Sequence, residues 1–161
     1  MPDITAITLT PIAWVRSGYT DRAQVPKGPA AVHAMEGAIE VREDLEPGLQ
    51  DIEGFSHLYV LWVFDRADPG YDLLTTPPND DRPHGLFATR TPRRPNPIAL
   101  TVVEVLGREG RRLRVRGLDM LDGTPVVDLK PYLTNVPAAA LKRGWLDEAE
   151  ARKARSSTTG F

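Results

Sequence analysis

The sequence contains no cysteine, so disulfide bonds, thiolate nucleophiles and cysteine-ligated metal or iron–sulfur sites are excluded. It also lacks a long apolar run, since the longest, residues 58–64, is far shorter than the roughly 20 residues that cross a bilayer. Residues 1–11 lack the basic-then-apolar pattern of a signal peptide, and we therefore expect a cytoplasmic protein. The 3 histidines show no metal-ligand spacing, so no metal site is expected.

The glycine motifs of nucleotide-binding folds are missing as well. Neither GxGxxG nor GxxxxGK followed by Ser or Thr occurs, which removes the sequence basis for a Rossmann or P-loop site. A net charge of −2 does not indicate a nucleic-acid binder, so an RNA site has to be a local basic patch. The 161 residues, 41% hydrophobic and 26% charged, have the composition of one ordinary globular domain.

Short apolar segments separated by proline- and glycine-rich connections dominate the chain. They predict strands at residues 4–15, 38–42, 86–89, 98–106 and 113–118. Residues 58–64 are apolar without alternation, which predicts a strand buried on both faces. Residues 145–155 are predicted to be helical. The pattern favours a mainly β fold, a small antiparallel β-barrel or sandwich, over residues 1–135, with short helices and a C-terminal helical extension over residues 136–161.

A stiff polar loop lies between two of these strands. Residues 90–97 combine three prolines with three arginines and an asparagine. Proline fixes its own φ and biases the preceding residue towards extended backbone, so this loop is rigid before any ligand arrives. Guanidinium groups bind phosphates, carboxylates and aromatic faces, and an asparagine amide recognises base edges. Arg90, Arg93, Arg94 and Asn96 are therefore predicted binding residues, against the alternative that the prolines only end the strands.

Acidic residues cluster near the second half of the chain. Asp119 and Asp122 flank an apolar pair before an Asp-Gly turn. Asp128 interrupts an apolar strand, where it needs a partner, and Lys130 is the expected one. On composition alone, turn chemistry for Asp122 and a structural ion pair for Asp128 are slightly favoured over catalytic roles. His57, which enters a buried strand, is interpreted as a structural histidine.

Arginine alternates with apolar residues over positions 112–116. A strand with this pattern has one apolar face and one strongly basic face. The basic face, formed by Arg112, Arg114 and Arg116, is a candidate contact for an RNA backbone.

Five stretches, taken in this order, resemble one family, the TrmO-type (TsaA-like or YaeB-like) tRNA threonylcarbamoyladenosine methyltransferases. They are PIAWVRS, VPKGP, GFSHLYVLWVFD, GLFATRTPRRPNPIALTVVEV and LDMLDGTPVVDLKPYL, and together they span about residues 10–133. The resemblance implies a small β-barrel that forms a homodimer. It also implies S-adenosylmethionine (SAM) as methyl donor and N6 of threonylcarbamoyladenosine, next to the anticodon of tRNA, as acceptor.

The same resemblance implies the site residues. Cofactor contacts would come from Pro29, Ala30, Ala31, Asp65, Arg66, Arg90, Leu100, Leu118, Asp119, Met120 and Leu121. Asp119 or Asp122 would accept the proton of the weakly nucleophilic N6, or would instead bind the ammonium or ribose hydroxyls of SAM. Substrate contact or site scaffolding would fall to Arg93, Arg94, Asn96, Asp128, Lys130 and Tyr132.

Two other functions stay open from the sequence. One is SAM-dependent methylation of a small molecule, which the acidic balance of the chain allows. The other is a non-catalytic barrel that binds RNA or a nucleotide.

Overall fold

The computed structural model describes residues 5–28 and 31–158, and its regular structure is mainly β. The strands of these residues are β1 (Ala13–Arg16), β2 (Glu36–Val41), β3 (His57–Val63), β4 (Leu74–Thr75), β5 (His84–Gly85), β6 (Ile98–Glu109), β7 (Arg112–Arg116) and β8 (Pro125–Pro131). An α-helix, α1 (Trp145–Thr158), follows them. Short 3-10 helices lie in the connections, at Arg22–Gln24, Glu43–Leu49, Ile52–Gly54, Leu86–Ala88 and Ala138–Ala140. The predicted mainly β fold with a C-terminal helix is confirmed.

Six of the strands pair antiparallel in the order β1-β2-β7-β6-β3-β8, and β8 returns to β1. Each of the six therefore has a neighbour on both sides, and we call this arrangement the closed sheet. The two short strands β4 and β5 pair only with each other. They lie within the long polar excursion between β3 and β6.

The core fills the inside of the closed sheet. Its fully buried side chains alternate along the strands, as in β1 and β7, where every second residue is buried. The largest of them include Val15, Ile39, Leu58, Val60, Val103, Leu113, Val115, Leu118, Met120 and Val126. Strand β3 follows the same alternation, with its outer residues half-buried. The prediction that β3 is buried on both faces was therefore wrong, because no second layer covers its outer side within the described residues.

Two other predicted strands differ from the structure. Residues 5–12 are irregular and β1 begins only at Ala13, while residue 4 lies outside the described residues. Pro11 has no N–H to donate, so it does not fit a paired ladder. Residues 86–88 form a 3-10 helix, whose turn is closed by the Thr89 hydroxyl donating to the Leu86 carbonyl at 2.8 Å.

The direction of the strands brings three connections to one end of the closed sheet. β1, β3 and β7 end there, and β2, β6 and β8 begin there, as the antiparallel registers require. The connections are residues 17–35, 64–97 and 117–124, and we call this the loop end. The predicted residues from Ala31 to Asn96 and from Leu118 to Asp122 lie on these connections. Leu100 lies on β6, and Asp128, Lys130 and Tyr132 lie on or just after β8.

Helix α1 is fastened to the long excursion between β3 and β6. The Arg152 guanidinium donates to the Asp80 carboxylate at 2.5 Å, and the same carboxylate contacts His84 Nε2 at 2.7 Å. The His84 ring stacks on Trp145 with 4.1 Å between ring centroids, and the Trp145 indole donates to the Ala88 carbonyl at 2.9 Å. The helix therefore abuts the segment that leads into the rigid loop. Across residues 5–28 and 31–158, no helix is long and apolar enough to span a membrane.

Candidate functional site

Asp119 lies where all three connections of the loop end meet. The Met35 carbonyl accepts from the backbone N–H groups of Gly117 and Leu118 at 3.0 and 3.2 Å, so the first connection runs against the third. Gly117 has φ +104°, a conformation that side chains other than glycine adopt only with strain. The electrostatic field at Asp119 comes from His33 on the first connection and Arg90 on the second. One titratable or charged group from each connection therefore shares this region.

Burial raises the pKa of the Asp119 carboxyl above its ordinary value, because the charged form loses hydration there. Four weaker influences oppose the shift: a hydrogen bond from Thr101, the charge of His33, a backbone hydrogen bond at Asp119 itself and the charge of Arg90. An acid whose pKa is raised and which lies among convergent loops is typical of functional sites. Asp119 is the predicted catalytic residue that the geometry favours.

A chain of buried hydrogen bonds fixes the Asp119 carboxylate. The Trp62 indole N–H donates to the Thr101 hydroxyl at 2.9 Å, and that hydroxyl donates to Asp119 Oδ1 at 2.6 Å. Trp62 and Thr101 are 5% and 8% exposed. Because the indole N–H can only donate, the threonine oxygen accepts from it and the threonine hydroxyl donates its hydrogen bond to the carboxylate. The chain therefore holds Asp119 as a hydrogen-bond acceptor.

Asp122 has a different environment. Its Oδ1 accepts from the Ser17 N–H at 3.0 Å, and its own N–H donates to the Tyr19 carbonyl at 2.8 Å. Its carbonyl accepts from Arg66, which also donates to Thr124 Oγ1 at 3.0 Å. Asp122 and Arg66 thus hold all three connections of the loop end together. Asp65 is exposed and contacts the Arg66 guanidinium at 3.4 Å.

The predicted rigid loop is held by two of its own arginines. Arg94 donates to the Thr89 carbonyl at 2.9 Å and to the Thr91 carbonyl at 3.3 Å, and its guanidinium lies 5.9 Å from the Phe87 ring centroid. Arg93 donates to the Gly70 carbonyl at 3.3 Å. These contacts bind the loop to itself and to the excursion before it. Arg93 and Arg94 are therefore partly occupied as scaffolding.

Arg90 and Asn96 remain available on the same loop. Both residues are exposed. Within residues 5–28 and 31–158, the side chains of Arg90 and Asn96 form no hydrogen bond or ion pair. A rigid loop with an uncommitted guanidinium and amide beside a half-buried acid is a suitable place for a polar ligand.

The other predicted cofactor residues fall into four groups. Leu118 and Met120 are fully buried on either side of Asp119 and form the apolar floor of the loop end. Ala31 and Leu121 are half-buried on the same end. Leu100 is 44% exposed on the outer face of β6, opposite in direction to its neighbour Thr101. Pro29 and Ala30 lie outside the described residues.

The residues predicted on and after β8 are not brought to Asp119 within one chain. The expected ion pair is confirmed, with Lys130 Nζ 2.8 Å from Asp128 Oδ2 on a solvent-exposed part of the strand. The Tyr132 ring packs against Tyr59 with 5.0 Å between centroids, and its N–H donates to the His57 carbonyl. His57 begins β3, at the end of the closed sheet opposite the loop end.

The predicted basic face of β7 is largely neutralised by carboxylates of neighbouring strands. Arg116 contacts Glu36 at 2.7 Å and Glu104 at 2.9 Å, and Arg112 contacts Glu40 at 2.5 Å. Arg114 has only a backbone carbonyl, that of Leu106, at 3.4 Å. The interpretation as a free basic patch for RNA does not fit these cross-strand pairs.

His33 is the residue of this region that sequence reasoning missed. Its Nδ1 is buried and has no hydrogen-bond partner within residues 5–28 and 31–158. No spacing or motif marks this histidine, because its approach to Asp119 depends on how β2 pairs with β7. In the described part of the chain, no three His, Asp or Glu side chains come together as a metal site.

A closed antiparallel sheet whose loops converge on a half-buried acid defines a small mainly β binding domain without a nucleotide-binding glycine motif. The profile of the tRNA-methyltransferase O N-terminal domain matches residues 14–138, and the chain belongs to this family. A "Probable S-adenosyl-L-methionine-binding protein" of Archaeoglobus fulgidus is 47% identical over 145 residues, which cover 89% of this chain and 39% of that protein.

Two further comparisons agree. The tRNA (adenine(37)-N6)-methyltransferase of Mus musculus is 33% identical over 131 residues, covering 78% of this chain and 30% of that protein. The crystal structure of TrmO from Pseudomonas aeruginosa superposes with a TM-score of 0.72 at 31% identity, covering 91% of this chain and 64% of that one. The chain thus spans less than two thirds of the length of each of these proteins.

Proposed function

We propose that this protein is a SAM-dependent tRNA methyltransferase that acts on N6 of the threonylcarbamoyladenosine beside the anticodon. Family membership and the names of the similar proteins support both the donor and the tRNA substrate. The observation that carries the proposal is the half-buried Asp119, with its raised pKa, at the meeting point of three loops. The proposal places the protein in the cytoplasm, where tRNA is available.

The loop end has the chemistry that SAM needs. Among the residues that the structure describes, the buried Nδ1 of His33 has no partner and the Arg90 guanidinium forms no hydrogen bond or ion pair, so polar groups of a ligand find donors and acceptors there. Leu118 and Met120 provide an apolar floor for an adenine ring. Of the remaining residues that the family resemblance implies, Ala31, Asp65, Arg66 and Leu121 lie on the same end. When bound, SAM supplies a methyl group on a sulfonium that leaves as a neutral thioether.

Asp119 is the proposed general base. The N6 nitrogen forms its new bond to the methyl carbon and must release a proton, and the carboxylate of Asp119 takes up that proton. Its raised pKa makes it a stronger base than an ordinary carboxylate, and Thr101 keeps it in one orientation. Asp122 has the scaffolding role, since its carboxylate is already engaged by the Ser17 N–H. Alignment and exclusion of water by the loops supply the rest of the catalysis.

Substrate contacts are proposed at two places. Asn96 and the exposed edges of Arg93 and Arg94 lie on the rigid loop next to the site. Lys130 is 63% exposed and Tyr132 is 39% exposed, and they lie with Asp128 at or beyond the end of β8. A single protomer keeps these two groups apart.

A second copy of the chain would join them. The outer face of β6 exposes Ile98, Leu100 and Val102 at 40%, 44% and 39%, and Leu61 and Tyr59 of β3 lie directly opposite Leu100 and Val102. A contiguous apolar stripe of this kind, rimmed by charged residues, is typical of a protein–protein contact. We propose a homodimer through this outer face.

The position of Leu100 supports the dimer. Leu100 and Thr101 project from opposite faces of β6, and Thr101 is the residue that bonds Asp119. Leu100 therefore cannot line the site of its own protomer together with Asp119. If it contacts cofactor, as the family resemblance implies, it does so in the site of the partner copy.

The test is transfer of label from methyl-labelled SAM to total tRNA taken from cells that lack this gene. The unaltered protein should label tRNA. Asp119→Asn should reduce the rate about 100-fold or more, since it removes the base. Asp122→Asn is the matched control and should stay within a few-fold of the unaltered protein, because an amide oxygen still accepts from Ser17.

Three results would contradict the proposal. Binding of SAM without labelled tRNA indicates a small-molecule acceptor. Absence of both binding and label indicates a non-catalytic barrel. Equal losses in the two variants would mean that Asp119 has no special role as a base.

A further inference from the structure

His33 has a buried polar atom that no group in the described part of the chain satisfies. Its Nδ1 is shielded from solvent and has no hydrogen-bond partner among residues 5–28 and 31–158. Leaving such a group unsatisfied is unfavourable, so buried polar atoms of this kind are rare and call for a reason. The surroundings of His33 favour one explanation, which is that a bound ligand supplies the missing hydrogen-bond partner.

The surroundings place His33 in the candidate site. It precedes the Met35 carbonyl that binds the Gly117 and Leu118 N–H groups, so its backbone runs beside the segment that carries Asp119. The two side chains are close enough for a protonated His33 to lower the pKa of Asp119. Arg90 from the second connection acts on the same carboxyl. His33 therefore faces the same small region as the two residues given roles above.

We infer that Nδ1 of His33 forms a hydrogen bond with a polar group of an adenosine moiety bound at the loop end. The inference rests on the proposed function and names a ligand contact for it. Adenosine occurs both in the methyl donor and in the acceptor nucleotide, and it offers amino, ring-nitrogen and ribose hydroxyl groups. A neutral imidazole pairs with any of these, because Nδ1 donates in one tautomer and accepts in the other.

Three substitutions at one position separate a ligand contact from a structural role. His33→Asn keeps a polar atom close to the Nδ1 position, His33→Gln places one near the Nε2 position, and His33→Ala removes both. We expect His33→Ala and His33→Gln to weaken ligand binding about 3- to 10-fold, the equivalent of one net hydrogen bond. His33→Asn should stay within about 2-fold of the unaltered protein.

Two binding measurements identify which adenosine is contacted. Calorimetric titration with SAM reports the cofactor, and the KM for tRNA at saturating SAM reports the acceptor. A weaker SAM affinity assigns the contact to the donor, and a raised KM with unchanged SAM affinity assigns it to the acceptor. Either result supports the inference. Unchanged values in both measurements for His33→Ala would overturn it.

The imidazole nitrogen signals provide a readout that is independent of activity. The chain has only 3 histidines, so their ¹⁵N resonances are readily assigned by substitution. Addition of SAM, alone and then with tRNA, should shift the His33 Nδ1 signal. The His57 signal is the control and should stay in place, because its Nδ1 contacts Ser56 Oγ at 2.9 Å away from the loop end.

The proposed function and this inference fail in different ways. If the unaltered protein takes up no SAM and labels no tRNA, the proposed function is wrong and the His33 contact is withdrawn with it. If the unaltered protein is active while His33→Ala matches it in both measurements and His33 Nδ1 does not shift, only the inference is wrong.

Discussion

At the scale of single residues, the orientation and the pKa of Asp119 depend on the nearly buried hydroxyl of Thr101. The Thr101 hydroxyl accepts a hydrogen bond from the Trp62 indole N–H and donates its own hydrogen to the Asp119 carboxylate. This arrangement gives Asp119 a fixed orientation and partly offsets the effect of burial on its pKa. The balance between burial and this hydrogen bond sets the pH at which the proposed base is ionised.

Thr101→Val tests that balance. Removal of the hydroxyl should raise the pKa of Asp119 further, so the acid limb of the rate profile moves to higher pH. The sign follows because activity requires the carboxylate, which forms only above the pKa of Asp119. The variant should also lose about 1–3 kcal/mol of stability, since the buried Trp62 N–H is left without an acceptor.

The matched control for this prediction is Trp62→Phe. It removes the indole donor but keeps the contact between Thr101 and Asp119, so its acid limb should move less than that of Thr101→Val. Rates of methyl transfer between pH 4 and pH 8, with chemical unfolding of each variant, provide the measurement. An acid limb that is the same in all three proteins would show that Asp119 does not limit the reaction.

At the scale of elements, α1 acts as a brace for the excursion that leads to the rigid loop. The Asp80 side chain, 3% exposed, is bonded by Arg152 and His84, and these contacts hold its pKa well below the usual range. A carboxyl with a lowered pKa stabilises the folded state above its unfolded pKa and loses that contribution as the pH falls. The brace is therefore intact at neutral pH and weakens only in strong acid.

Arg152→Ala should release this brace. Amide hydrogen exchange over residues 74–91 should become about 10-fold faster, because a charged hydrogen bond is lost, while the strands of the closed sheet exchange as before. Arg143→Ala is the control, since the ion pairs of Arg143 with Asp147 and Glu150 join it only to α1. Such exposed pairs contribute little. Equal exchange in both variants would contradict the bracing role.

The elements also show how far the sequence could be interpreted. Alternation located β2 and β7, an apolar segment located β6, and the prolines located the rigid loop, because all of these signals depend on near neighbours in the chain. The Asp-Gly turn was predicted for the same reason, and Gly123 has φ +79°. The pairing of Arg116 with Glu36 joins residues 80 positions apart, and no local sequence pattern predicts it. The basic face of β7 was misjudged for that reason.

The sequence likewise predicted some features of the candidate site and missed others. The resemblance of motifs located Asp119, Arg90 and the apolar floor. It did not separate Asp119 from Asp122, because the difference depends on which backbone groups reach each carboxylate. The role of His33 could not be predicted from the sequence, because the first and third connections meet only as a result of the pairing of β2 with β7.

At the scale of the whole molecule, self-association through the outer face of β3 and β6 should depend on Leu100. Leu100→Glu places a charge in the middle of the apolar stripe, and burying it without a partner costs far more than the contact gains. Sedimentation should show a dimer for the unaltered protein and a monomer for the variant. Leu141→Glu is the control, since Leu141 is a leucine outside the closed sheet that is 61% exposed.

The variant should remain folded, because Leu100 does not contribute to the core. Its circular dichroism should match that of the unaltered protein, and its SAM affinity should fall if the partner copy completes the site. A Leu100→Glu protein that still sediments as a dimer would show that copies associate elsewhere.

Because the six strands form a ring, none of them is an edge strand open to an incoming peptide, so the proposed association through β3 and β6 uses side chains. Register then becomes the sensitive property of β6. A slip of one residue against β3 would turn Thr101 towards the solvent and Leu100 towards the core. The same error would disconnect Asp119 from its hydrogen-bond donor and bury the centre of the association face. Correct folding of β6 and both of its proposed roles therefore succeed or fail together.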